Sequence, residues 1–195
     1  MPRATKGKTD PVAFTVPGLD RSAGGEVASL LQSRLVALID LALTLKHVHW
    51  NVIGPHFIGV HQMLDPQVEG VSAMVDTTAE RIATLGGQPN GLPGSLVANR
   101  TWDDYELGRA TVSEHLGALD MVYTGVISYH RACIDALEEL DPVTQDMVIG
   151  QTQDLEQYQW FVRAHLEHDS GKLSTAGATS ERQASDRAKR AARSA

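Results

Sequence analysis

The sequence predicts an all-α fold: four long helices in a bundle, with a long connection between the second and third. Three observations carry this. Apolar residues recur at three- and four-residue steps over four long segments. Leu, Ala and Val dominate a hydrophobic content of 42%, and aromatic residues supply only 5%, which favours helices over a sandwich. Proline and glycine gather at segment boundaries, above all in one extended loop. A chain of 195 residues is long enough for one domain with a real core.

Residues 1–20 have no periodicity and contain Pro2, Pro11 and Pro17, so they read as a flexible N-terminal arm. The first helix is predicted from about Ser22 to Val52, with Val27, Leu31, Leu35, Leu38, Ala42 and Leu45 on its buried stripe. Gly54-Pro55 ends it. The second helix spans about His56 to Leu85 and stops at Gly86-Gly87. Pro66 lies inside it and removes one backbone donor. The helix either kinks there or breaks, with Asp65 capping a fresh start. The pattern continues on both sides, which favours the kink.

Residues 86–100, GGQPNGLPGSLVANR, form a loop long enough to cross the bundle, with one short helical turn at SLVAN. The third helix is expected to start between Thr101 and Asp104, a run of capping residues. Its seam is Val112, Leu116, Leu119, Tyr123, Val126, His130, Cys133, Leu137 and Leu140. Asp141-Pro142 opens the fourth helix, which is expected to reach about Gly171. The organisation is thus an arm at 1–20, a bundle at 21–172 and a basic, flexible tail at 173–195.

One cysteine, Cys133, rules out an internal disulfide framework and suits a reducing cytoplasm. Its place on the seam reads as a buried small hydrophobe. No apolar run reaches the roughly 18 residues that would span a bilayer, so no membrane partner is expected. Net charge is −7, unevenly spread. The first ten residues carry +2 and residues 179–195 carry +3, which leaves −12 on the body.

The chemistry concentrates between Lys46 and Gly87, which holds four of the eight histidines. His61 with Asp65, and Asp76 with Glu80, are i,i+4 pairs, each on one helical face. All four fall within an arc of roughly 100°. Asp65 and Asp76 are nevertheless roughly 16 Å apart along the axis, too far for one metal centre. Imidazole and carboxylate together suit iron, zinc or manganese better than calcium or copper. Taken singly, each of these residues reads equally well as solvated surface or as a hydrogen-bonded core polar. Jointly they share a face with Leu64, Val68 and Val75, which argues against simple exposure.

The Glu-x-x-His motif of the intrasubunit di-iron bundle is absent from the chain. Two copies of the second helix, antiparallel across a two-fold axis, would instead set His61 and Asp65 of one opposite Asp76 and Glu80 of the other. The axis would pass near Gly70, where a glycine allows close approach. His49, at the end of the first helix, offers one more imidazole.

The stretch HVHWNVIGPHFIGVHQMLDPQVE, followed by VDTTAERIATLGG, resembles the Dps family of mini-ferritins. The resemblance covers about residues 25–170, including DPVTQDM at the start of the last helix. The His-Trp-Asn motif, the His twelve residues later, the Asp four after that and the D-x-x-x-E eleven further on are specific in combination. Gln62 departs from the Glu of many relatives, at a position outside the ligand set. The resemblance implies a ferritin-like bundle that assembles into a hollow dodecamer. It further implies that His49, His61 and Asp65 of one subunit join Asp76 and Glu80 of its two-fold mate as a ferroxidase centre. Such proteins oxidise Fe(II), typically with hydrogen peroxide, and store the ferric product.

Paired iron sites allow two-electron reduction of peroxide, which avoids hydroxyl radical, and an acidic body draws cations inward. Asp141 and Asp146 match positions that line three-fold pores in the family. They read equally as a helix cap and a first-turn acid. Trp50 is expected in the core or as an aromatic that intercepts oxidising equivalents. His47 points to another side of its helix and reads as structural.

Arg182, Arg187, Lys189, Arg190 and Arg193 make the C-terminal tail similar to the DNA-binding tails of several family members. Arg3, Lys6 and Lys8 add a second basic segment. Twelve arms on one particle bind DNA strongly through multivalency, and the contact is with the phosphate backbone and independent of sequence. The expected protein is a cytoplasmic, nucleoid-associated, iron-oxidising and iron-storing mini-ferritin. The alternatives are a structural nucleoid protein with an inactive metal centre and a small di-metal oxidase without storage.

Overall fold

A computed structural model describes residues 12–168 and 170–194. Six helices follow in order: α1 (Arg21–Asn51), α2 (Phe57–Thr84), α3 (Pro93–Asn99), α4 (Val112–Leu137), α5 (Pro142–Ala164) and α6 (Glu181–Ala192). Helices α1, α2, α4 and α5 form the bundle. Its core is built from α1 (Leu38, Leu41, Leu45), α2 (Leu64, Val71), α4 (Leu116, Leu119, Tyr123) and α5 (Leu155, Val162). A second cluster, with Val27, Leu31, Ile82, Leu85, Leu137 and Val148, fills the other end.

Asp20 starts α1 by accepting from the Ser22 amide at 2.7 Å. α1 is long and apolar enough to cross a bilayer by length and composition alone, with a mean hydropathy of 1.5 in its most apolar stretch. Half of that stretch is buried inside the protein, as befits the central helix of a bundle. α2 runs unbroken through Pro66, so the helix does not restart at Asp65. This keeps His61 and Asp65 one turn apart on one continuous helix.

The crossover from α2 to α4 contains α3 and ends in a two-residue parallel pairing. There β1 (Val52–Ile53) sets Val52 beside Ala110 and Ile53 beside Thr111 of β2 (Ala110–Thr111). The connection therefore travels the length of the bundle and returns to the end where α1 stops.

Three expectations are corrected. The third bundle helix starts at Val112, not between Thr101 and Asp104. Those residues are held in an extended crossover: Trp102 Nε1 donates to Asp40 Oδ2 at 2.7 Å, and Arg100 pairs with Asp40 and Asp104. The helix is opened instead by a capping box, with Thr111 and Glu114 bonded reciprocally. α5 ends at Ala164 rather than near Gly171, and Gly171 occupies a turn at φ 74°.

The third correction concerns the tail, which is not a free arm. After a turn-rich connection, α6 lies along α4 and buries Ala184, Ser185 and Ala188. Gly117 of α4 makes this approach possible, since a Cβ there would sit 2.7 Å from the Ala184 carbonyl. Asp120 of α4 clamps the connection by accepting from Gln159, Arg163 and Thr175 at 2.7–2.9 Å.

Of the expected N-terminal arm, residues 1–11 lie outside the described residues, with Arg3, Lys6 and Lys8 among them. Residues 12–20 are not free either. Val16 and Leu19 pack on the core, and Arg21 Nε donates to the Val12 carbonyl at 2.9 Å.

Candidate metal centre

His49 comes from the last turn of α1, and His61 and Asp65 come from the first half of α2. Gly54 is the residue that lets the chain reverse between the two helices, at φ 114°. The reversal stacks the two imidazoles, with centroids 3.6 Å apart and planes at 26°. One potential ligand atom from each of His49, His61 and Asp65 lies within 4.8 Å of the others.

The imidazoles are prepared for a metal in different ways. His61 Nδ1 lies 2.9 Å from the His49 backbone carbonyl. A carbonyl only accepts, so Nδ1 carries the proton and Nε2 is left with a lone pair to offer. Both ring nitrogens of His49 are buried without a hydrogen bond among the described residues. Its Nε2 lies 3.0 Å from Asp65 Oδ1, out of line for a good hydrogen bond. A buried imidazole with no partner is unusual unless something else completes it. The donor set of two imidazoles and a carboxylate fits a first-row divalent ion such as iron.

Lys46 is the functional residue that the sequence reading missed. Its Nζ lies 3.1 Å from Asp65 Oδ1. The signal was available, since Lys46 precedes His49 by three residues and so shares its helical face. Hydrogen bonding from Lys46 is the largest influence on the Asp65 carboxyl and, with the nearby His49 imidazole adding to it, holds the group below the usual carboxylate range against the opposing pull of desolvation. Phe57 stands edge-on to His61, with centroids 6.2 Å apart.

Asp76 and Glu80 are not brought to this cluster. Both are exposed on α2 further along the helix, and neither side chain has a hydrogen-bond or ion-pair partner among the described residues. Gly70 makes room for the Tyr158 hydroxyl of the same chain, which a Cβ would strike. Trp50 is not core in the subunit: it is 71% exposed beside His49. His47 is structural, with Nε2 2.8 Å from the Leu107 carbonyl. Cys133 is buried, and that burial pushes its thiol up.

Asp141 caps α5, accepting from the Val143 amide, from Thr144 and from Arg81 Nη2, the last at 2.6 Å. Burial pulls its carboxyl upward, but the Thr144 and Arg81 contacts outweigh that and hold it below the usual range. Asp146 is exposed. In α6, Lys189 pairs with Glu114, Arg182 with Glu106, and Arg187 donates to the Ala176 carbonyl. Arg190 and Arg193 are exposed.

The geometry agrees with comparisons to known proteins. The ferritin family model, described as a ferritin-like domain, matches residues 28–171. The DNA protection during starvation protein of Mycolicibacterium smegmatis is 55% identical over 178 residues, covering 91% of this chain and 97% of the relative. The solved structure of Mycobacterium smegmatis Dps superposes with a TM-score of 0.84 at 56% identity, covering 85% of this chain and 95% of that one. DpsA14 from Streptomyces coelicolor gives 0.82 at 58% identity, covering 84% and 98%. With its fold, its His-His-Asp cluster and these relatives in agreement, the chain belongs to the Dps branch of the ferritin-like family.

Proposed function

We propose that this protein is a ferroxidase that protects DNA by oxidising Fe(II) and storing the ferric product. The reading is carried by one observation: His49, with both ring nitrogens buried and unpaired, and His61, whose Nδ1 alone is hydrogen-bonded, lie beside Asp65 in a cluster of three candidate ligands among the described residues. Asp76 and Glu80, unpartnered on the same helix, are the natural complement if two copies pair antiparallel along α2. Each centre then takes His49, His61 and Asp65 from one subunit and Asp76 and Glu80 from the other. Exposed Leu43, Trp50 and Phe57 supply apolar surface for such a contact. Six such pairs close into a hollow dodecamer, with Asp146 among the acids that draw Fe(II) through its pores.

Iron is the substrate and the cargo. Two Fe(II) ions give one electron each to one hydrogen peroxide. Its O–O bond breaks and, with two protons, it leaves as two waters, so no hydroxyl radical escapes. The protein's part is placement. The His49 carbonyl fixes the His61 tautomer, and the carboxylates favour the harder Fe(III) product. Trp50 stands close enough to His49 in sequence to intercept stray oxidising equivalents. The particle belongs to the cytoplasm and associates with the nucleoid, where α6 and the N-terminal cations contact DNA phosphate without reading sequence.

The test adds Fe(II) anaerobically and then titrates with peroxide. Oxidation at close to two irons per peroxide is expected, in a particle of about twelve times 21.1 kDa. His61→Ala and Glu80→Ala should each slow oxidation strongly while the particle survives. Normal rates in both variants would remove the site assignment. An intact, DNA-binding particle without oxidation would leave a structural nucleoid protein instead.

A further inference from the structure

The charge of α6 is partly consumed within its own subunit. Lys189 Nζ lies 2.6 Å from Glu114 Oε1, and Arg182 Nε lies 3.3 Å from Glu106 Oε2. Arg187 is held by the Ala176 carbonyl. Arg190 and Arg193 form no ion pair among the described residues and are exposed. The docked face is made of small side chains, Ala184, Ser185 and Ala188, set against Gly117. Such a face gives close approach but little apolar area, so the ion pairs to Glu106 and Glu114 contribute much of the docking. Partial burial pulls the Glu114 carboxyl up, but Lys189 and Thr111 hold it down to about 2, so it remains an anion under ordinary conditions.

We infer that Glu114 and Glu106 are built-in competitors of DNA phosphate. They hold α6 docked with two cations free, Arg190 and Arg193, and its release makes all five available to DNA. The inference rests on the reading of α6 as a DNA contact. A polyanion offers the helix the same ligand chemistry as these two carboxylates, at higher charge density. Each cation that moves from carboxylate to phosphate adds about one counterion released from DNA. DNA binding therefore strips α6 from α4, and the docked state suppresses weak, unproductive contact.

The test uses the full-length particle and a short duplex of arbitrary sequence, followed by fluorescence anisotropy over a salt series. Glu106→Gln frees Arg182 without touching the start of α4, and Glu114→Gln frees Lys189. Glu139→Gln, an exposed acid at the far end of α4, is the charge-matched control. Both release variants should bind at least severalfold tighter than wild type at each salt concentration, with log affinity falling in log salt at close to the wild-type slope, because the bound state engages the same five cations. The control should match wild type. Unchanged affinity in Glu106→Gln and Glu114→Gln, or an equal gain in Glu139→Gln, would overturn the inference even if deleting residues 179–195 abolishes binding. If that deletion leaves binding intact, the DNA role of the tail itself fails, and the inference fails with it.

Discussion

Lys46 Nζ and His49 Nε2 approach the same oxygen, Asp65 Oδ1, at 3.1 and 3.0 Å. An ammonium thus stands where a metal would draw its carboxylate ligand. It compensates the Asp65 charge, and any metal bound here must compete with it.

Replacing Lys46 by Met removes that competitor while keeping a long apolar stem at the end of α1. Affinity for Fe(II), or for Co(II) as an air-stable probe, should rise roughly two- to fivefold, the range expected for a solvent-screened pair. Anaerobic titration calorimetry reads this directly. Equal or weaker binding in Lys46→Met would mean that the ammonium assists the site rather than blocking it.

Much of this was legible in the sequence because the relevant rules are local. The i,i+4 spacing of His61 and Asp65 needs only an unbroken helix, and the helix is unbroken. Tertiary contacts decided the rest. Thr101 to Asp104 resembles a helix start, but Asp40, sixty residues away, claims Trp102 and Arg100. The true start, Thr111 with Glu114, had a capping-box spacing in plain view. α6 was missed because Arg, Ala and Ser read as an unfolded composition. Its docking face is small by necessity, to fit Gly117. Gly70 was read as room for a second copy of its helix, and the sequence did not show that Tyr158 of the same chain reaches it as well.

His130 predicts a stability slope in mild acid. It is fully buried, its Nδ1 lies 3.0 Å from the Val126 carbonyl, and its Nε2 has no partner among the described residues. Burial first, and the nearby Arg34 cation second, push it down to about 4. An unfolded histidine titrates near 6.5. Between these values the unfolded chain holds a proton that the folded chain refuses, so stability rises with pH and is lost as pH falls from 6.5 towards 4. One proton gives at most about 1.4 kcal/mol per pH unit, or roughly 3 kcal/mol across the window. Urea midpoints at pH 7 and 4.5 should converge in His130→Met relative to wild type. An undiminished gap would show that other groups carry the acid sensitivity.

Gly70→Ala should be costly despite its favourable helix propensity. The new methyl meets the Tyr158 hydroxyl, the outer end of a large side chain packed against the core. Overpacking of this kind costs about 1–3 kcal/mol. For a chain of this size that lowers Tm by roughly 2–4 °C per kcal/mol. Removing the hydroxyl in Gly70→Ala/Tyr158→Phe should recover part of the loss, a non-additivity that only contact between the two residues produces. Strictly additive losses would place Tyr158 elsewhere.

The shared construction of the centre predicts a recovery that no single-subunit site can give. His61→Ala and Glu80→Ala damage opposite halves of the proposed centre. In a mixed pair, one centre loses both residues, and the other takes intact His61 from one subunit and intact Glu80 from its mate. Random mixing makes half of all pairs mixed, so about a quarter of the centres regain every ligand. Coexpressed variants should therefore oxidise Fe(II) at about a quarter of the wild-type rate, although each alone is nearly inactive. The burst amplitude for bound Fe(II), read by absorbance after peroxide addition, should recover to the same fraction. Recovery depends on geometry alone, because mixing introduces no residue that either parent lacks. If the mixed particles stay as slow as their parents, His61 and Glu80 do not meet across a two-fold contact, and the centre must be sought within the subunit.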